Sequence, residues 1–196
     1  MTMRYDFSNV TPEMRTKLFP IILEEHNPQW LDNYLIEKSL IERILGKENI
    51  IRISHYGSTS VPGLIAKPTI DILLEISTSV DVPQFIEDML DNECVYVEQP
   101  NDPPPHIVFY RGYTPEGFKG QAVHIHVRYP GDWDELYFRD YLLTHPETAA
   151  EYGELKQRLI KDYEYDRDGY TEAKGEFIRK ITGEARIIFP KGNLRK

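Results

Sequence analysis

The residues best suited to chemistry lie between positions 55 and 76. An apolar run, Ile50-Ile51-Arg52-Ile53-Ser54-His55-Tyr56, breaks at Gly57-Ser58-Thr59-Ser60 and resumes after Lys67-Pro68 as Thr69-Ile70-Asp71-Ile72-Leu73-Leu74-Glu75-Ile76. A glycine lets the backbone approach a ligand closely, and consecutive amides in such a turn form a nest for an anion. The hydroxyls of Ser58, Thr59 and Ser60 add donors beside it, and Lys67 brings a positive charge to the entry of the second run. Asp71 is placed to hold a divalent cation bridging phosphate oxygens. The chemistry this predicts is metal-assisted phosphate binding. The same residues also compose an ordinary tight turn with a capping serine, a surface lysine and a strand-edge aspartate. Two other signatures are absent from this turn: it lacks the Gly-Lys-hydroxyl run of a nucleotide phosphate loop and the Gly-x-Ser-x-Gly of a nucleophile elbow.

A second group follows in His124-Ile125-His126-Val127-Arg128. Alternation along a strand puts His124, His126 and Arg128 on one face, as it does Asp71, Leu73 and Glu75. Two imidazoles on one face are candidate ligands for Zn or Mn; structural, hydrogen-bonded histidines have the same pattern. His55 either orients Ser58 or has no role in the chemistry. Lys156 and Lys174 each sit four residues after a tyrosine, Tyr152 and Tyr170, at the margin of an apolar helical stripe. From there a long side chain reaches either a phosphate across a cleft or solvent. Arg139 and Asp140 read as an ion pair with a structural role.

These groups need strands on both sides of the Gly-Ser turn. Alternation predicts strands over 50–56, 69–76, 94–98, 107–111 and 122–129, with 102–105 as a rigid proline spacer and 112–120 as a loop. Helical spacing predicts a helix from Pro28 to a stop at Gly46 and a short one over 83–91. Three later stripes begin at Trp133, Tyr152 and Phe177. Strands followed by helices argue for an α+β fold, a mixed sheet of about five strands with flanking helices. One domain is expected over 1–196, with a helical lead-in over 1–49, a sheet core over 50–130 and a helical part over 131–188. The basic tail 191–196 reads as a solvated end.

With 23 basic against 32 acidic side chains the net charge is −9, which disfavours a nucleic-acid coat or an anionic-membrane binder. No apolar stretch approaches the roughly 20 residues of a membrane span, and the first ten residues hold no secretory apolar run. The single cysteine, Cys94, makes no internal disulfide, so a reducing, cytoplasmic setting is expected.

The run Gly57-Ser58-Thr59-Ser60-Val61-Pro62-Gly63-Leu64, with Ala66-Lys67-Pro68 and Ile70-Asp71-Ile72, closely resembles the GrpB (UPF0157-type) family, related to the nucleotidyltransferase superfamily. His124-Ile125-His126-Val127, Phe138–Leu142, Tyr152–Lys156 and Tyr170–Lys174 extend the resemblance in the family's order. It implies a nucleotidyltransferase-like sheet with the Gly-Ser turn and an acidic strand facing a cleft. It also implies a divalent metal, Mg or Mn, at Asp71. In that superfamily a second carboxylate follows two residues after the first; here the position is Leu73, which cannot ligate a metal. Glu75, His124 and His126 are the candidate partners of Asp71, and a histidine set shifts the preference toward Zn, Mn, Fe or Ni.

The expected function is a metal-dependent nucleotidyltransferase-like enzyme acting on a nucleotide or phosphorylated small molecule. Gly57, Ser58, Thr59, Ser60, Lys67, Arg128 and Lys156 would bind phosphate, and Asp71, Lys67 and Lys174 would act in catalysis. The alternatives are a non-catalytic nucleotide-binding module on the same fold, which Leu73 favours, and a metal-dependent phosphohydrolase using Asp71, His124 and His126.

Overall fold

Alternating apolar residues, many of them β-branched, build one mixed sheet. The computed structural model describes residues 4–99 and 104–189, so part of the proline spacer and the whole basic tail lie outside the described residues. The strands are β1 (Ile50–Tyr56), β2 (Thr69–Ile76), β3 (Val95–Val97), β4 (Ile107–Thr114) and β5 (Gly117–Arg128), in the order β1-β2-β5-β4-β3. The β2–β5 pair is parallel; the other three pairs are antiparallel. Three helices precede β3: α1 (Pro12–Leu18), α2 (Gln29–Leu45) and α3 (Val82–Leu90). Four follow β5: α4 (Asp134–Thr144), α5 (Pro146–Tyr163), α6 (Arg167–Ala173) and α7 (Gly175–Ile188). The architecture is α+β, a five-stranded open sheet with flanking helices. Among the described residues no helix is long and apolar enough to cross a membrane.

Two elements depart from the sequence expectation. Residues 112–120, expected as a loop, are mostly strand, because β4 and β5 form a hairpin that turns at Pro115-Glu116. Gly112 absorbs a register shift there at φ +81°, and a Cβ at that position would lie 2.2 Å from the Gln121 carbonyl oxygen. The third late stripe is preceded by a separate short helix, α6, whose start is capped by the Asp166 carboxylate accepting from Gly169 N–H at 2.9 Å.

The two faces of the sheet have different tasks. Ile70, Ile72, Leu74 and Ile76 of β2 and Val123, Ile125 and Val127 of β5 are fully buried against Trp30, Tyr34 and Ile41 of α2 and Phe85 and Met89 of α3. Asp71, Leu73 and Glu75 turn to the other face, toward the late helices. Glu75, an expected metal ligand, is buried there among structural partners. It accepts from Gly131 N–H at 2.8 Å and from the Trp133 indole at 2.7 Å, and it pairs with Arg52. It therefore ties β1 and β2 to the chain entering α4. Glu75→Ala strands three donors at once and is expected to destabilise the protein by about 3 kcal/mol, a fall of roughly 6–12 °C in Tm by calorimetry.

Candidate metal and phosphate site

The turn after β1 is shaped by one close approach. Gly57 adopts φ +74° and ψ −179°, a conformation open essentially to glycine. Tyr56 pairs with Asp71 across β1–β2, and a Cβ on Gly57 would lie 2.3 Å from the Asp71 Oδ2 atom. Glycine here lets the carboxylate lie directly against the turn. Thr59 is buried; its hydroxyl donates to the Thr69 carbonyl at 2.9 Å, so at 3.0 Å it accepts from His55 Nε2–H. His55 stacks on Tyr34, and burial lowers its pKa to about 4, which keeps the ring neutral. The Ser60 hydroxyl donates to the Gly57 carbonyl at 2.7 Å. Of the three expected phosphate-binding hydroxyls, Thr59 and Ser60 therefore brace the turn and Ser58 faces the cleft. His55 serves Thr59, not Ser58.

The parallel β2–β5 register sets Asp71 beside His124 and Leu73 beside His126. Ligand atoms of Asp71, His124 and His126 all lie within 4.8 Å of one another. His124 Nδ1 is 3.3 Å from Asp71 Oδ1, and its Nε2 is 2.7 Å from the Tyr113 hydroxyl, which orients the ring. Burial raises the Asp71 carboxyl, but the hydrogen bond from His124 and the electrostatic influence of its neighbours, Lys67 among them, outweigh it, so the pKa is lowered and the group is ionised. Burial lowers His126 to about 4, leaving a neutral imidazole with a lone pair to offer. One carboxylate and two imidazoles in this arrangement fit a divalent ion, and suit Mn, Fe or Zn better than Mg.

Asp71 and His124 line a cleft of about 840 Å³ together with Lys67, Lys156 and Lys174. Lys156 donates to the Ser58 hydroxyl at 3.1 Å and to the Ile65 carbonyl. Their ammonium groups lie over aromatic rings: Lys156 Nζ is 4.7 Å from the Tyr152 ring centroid, and Lys174 and Lys67 Nζ are 4.3 and 5.6 Å from that of Tyr170. Burial lowers the Lys156 pKa to about 7, helped by the charges of Lys174 and Lys67. It lowers Lys174 to about 7 and Lys67 to about 8, with Arg167 acting in the same sense and Asp71 opposing. Three crowded, poorly solvated amines at one end of a cleft make a site in want of an anion.

Two expected residues stand apart. Glu75 is engaged as described above. Arg128 lies over the Trp133 ring at 4.4 Å and donates to Glu135 at 2.7 Å, so it positions Glu135 instead of facing a phosphate. Arg139 pairs with Asp140 at 2.7 Å and donates to the His55 carbonyl at 3.0 Å, a structural brace as expected. The structure adds cleft residues not singled out in the sequence, among them Tyr56, Tyr110, Glu135 and Arg167. The Asp166 cap preceding Gly169 was the local signal for the helix that delivers Arg167.

The family model described as "GrpB protein" matches residues 20–184. The chain belongs to the GrpB family. It is 35% identical over 167 residues to the "Glutamate-rich protein GrpB" of Alkalihalophilus pseudofirmus, covering 84% of this chain and 95% of that protein. It is 36% identical over 160 residues to a UPF0157 protein of Pseudomonas aeruginosa, covering 81% of this chain and 65%, just under two thirds, of that protein. Among solved structures, the conserved protein GrpB from Enterococcus faecalis superposes with a TM-score of 0.72 at 31% identity, covering 84% of this chain and 96% of that one.

The buried amines of this GrpB-family chain lead to two expectations. A lysine whose folded pKa lies below its unfolded value destabilises the fold most where it is charged, below about pH 7, and this penalty fades as pH rises toward the unfolded value. Lys174→Met is therefore expected to raise the stability of the ligand-free protein at pH 6 by roughly 1 kcal/mol while weakening tripolyphosphate binding, measured by calorimetry. Wild-type affinity for tripolyphosphate is expected to fall as pH rises from 6 to 9, because Lys156, Lys174 and then Lys67 lose the protons that an anion needs. Near neutral pH, proton uptake on binding should appear as a dependence of the calorimetric heat on buffer ionisation enthalpy.

Proposed function

We propose that this GrpB-family protein is a metal-dependent nucleotidyltransferase-like enzyme that takes a nucleoside triphosphate or a related phosphorylated substrate. The observation that carries the reading is the meeting of two opposed groups: Asp71 and His124, which form a cluster with His126, line one cleft together with the three amines of Lys67, Lys156 and Lys174. Oxygen and nitrogen donors on one side with concentrated positive charge on the other complement a polyphosphate and a divalent ion together.

In this reading Asp71, His124 and His126 hold the ion, which when bound neutralises and polarises phosphate oxygens. Lys156 and Lys174 hold the outer phosphates, and Ser58 and the Gly57 backbone orient them against the turn. Lys67 lies near the strand that carries Asp71 and meets the charge that develops on the leaving phosphates. Tyr113 fixes the ring of His124, and Tyr56, which lines the cleft, packs edge-on against His126 with ring centroids 5.7 Å apart.

Leu73 is fully buried and adds no second carboxylate. That favours a second reading, a binding module that holds nucleotide and metal without turning them over. The test is thermal unfolding of metal-stripped protein with ATP, GTP, CTP or UTP and Mg, Mn or Zn, alone and paired, together with pyrophosphate release. A ligand at 100-fold over its Kd adds about 2.7 kcal/mol, a shift easily measured. A shift that needs nucleotide and metal together, with pyrophosphate released, is expected. Asp71→Asn should abolish the metal-dependent part while the ligand-free midpoint stays within a few degrees. The paired shift without pyrophosphate release would favour the binding module, and phosphate release to water alone would favour a hydrolase. Full activity in Asp71→Asn would overturn the assignment of the metal site.

A further inference from the structure

A second chamber of about 680 Å³ also borders His124. It shares Tyr110, His124, Arg167 and Asp168 with the phosphate cleft, so the two meet at one wall. None of the three cleft lysines lines it. A run of rings forms its floor: Phe19 to Tyr113 at 5.0 Å, Tyr113 to Tyr110 at 5.3 Å and Tyr110 to His124 at 4.4 Å between centroids. Phe7, Tyr96 and Tyr165 add further aromatic surface. The charged groups are close to balanced, with Arg15 and Arg167 facing Glu98, Asp166 and Asp168. Part of this wall, including Phe7, Arg15 and Phe19, comes from residues ahead of the stretch 20–184 matched by the family model.

We propose that this chamber is the acceptor subsite and takes a nucleoside-class ligand, its base against the aromatic floor and a hydroxyl directed to the wall at His124. The proposal rests on the transfer reading above. With the outer phosphates held by the lysines, in-line displacement requires the nucleophile to approach from the side opposite the leaving group. The aromatic chamber meets the cleft at His124 and is lined by none of those lysines. In the transfer the acceptor oxygen forms a bond to the α-phosphorus and the bond from that phosphorus to the bridging oxygen breaks. Pyrophosphate leaves with the electron pair, and the hydroxyl proton is released to water. A planar base gains stacking on such a floor whatever its sequence identity. Carboxylates of Asp168 and Glu98 are acceptors for ribose hydroxyls and exocyclic amines. A second polyphosphate gains nothing in a chamber whose charges nearly cancel.

The test is calorimetric binding of adenosine, guanosine, cytidine and uridine to the full chain with Mn, with and without saturating α,β-methylene-ATP. The expected result is that at least one nucleoside binds while the analogue is bound. Tyr165→Ala and Tyr96→Ala remove rings that are 54% and 36% exposed, so the fold is spared. Each is expected to weaken nucleoside binding roughly tenfold and to change analogue affinity less than twofold; Lys174→Met should give the reverse pattern. Displacement of the nucleoside by the analogue would show that the chamber holds the donor's own base and would overturn the proposal. So would binding indifferent to both tyrosine variants, or no binding of any of the four nucleosides at millimolar concentration. Failure of the analogue to bind the wild-type chain overturns the transfer reading by itself; tyrosine-dependent nucleoside binding would then still support the chamber as a nucleoside site.

Discussion

The parallel pairing of β2 with β5 is the constraint on which the cleft depends. Its register sets Asp71 against His124 and Leu73 against His126, so a carboxylate and two imidazoles from distant parts of the chain share one face. Parallel neighbours need a long crossover, supplied here by α3, β3 and β4. The register is secured from the opposite face. Ile70, Ile72 and Leu74 alternate with the polar set, as do Val123, Ile125 and Val127, and all six are fully buried against the sheet's other layer. A slip of one residue in either strand would turn those side chains toward the polar face and Asp71, His124 and His126 into the core. The apolar layer thus positions the polar one.

The helices that cover the polar face bring an electrostatic conflict with them. Lys156 from α5 and Lys174 at the start of α7 are carried to Lys67 by the packing of Tyr152 and Tyr170. Aromatic rings under the amines and burial of the aliphatic stems offset part of the desolvation, while the mutual repulsion remains. Packing elsewhere in the molecule holds the three together. A bound polyanion would relieve the repulsion and restore the full charge of each amine.

Several other buried charges have a bracing role. Glu75 joins Arg52, Gly131 and Trp133; Arg139 joins Asp140 and the His55 carbonyl; Glu37 of α2 meets Arg111 of β4. Each one crosses between elements and holds the frame around the Gly57 turn or the sheet beneath it. Because these charges pair with one another or with the backbone, the residues have the composition of a catalytic site while serving the frame.

The sequence by itself determined the main elements and the two motifs. Period-2 runs at 50–56 and 69–76 marked β1 and β2, the Gly-Ser break between them marked the turn, and the His-x-His alternation put His124 and His126 on one side of β5. These are local properties, fixed by backbone sterics and side-chain period, and each is legible in a window of a few residues. Tertiary structure decided which polar residues meet. Asp71 and Glu75 share a face of one strand, yet Asp71 meets the histidines while Glu75 is taken by Arg52 and Trp133, a choice made by the chain arriving from β5 into α4. Arg128 points the same way as His126 and is diverted to Glu135 for the same reason. The glycines at 112, 117 and 120 carry the local signature of a loop, and the hairpin pairing of β4 with β5 absorbs them as a bulge and a turn. Partner choice for a charged side chain depends on groups far away in sequence, and no local period encodes it.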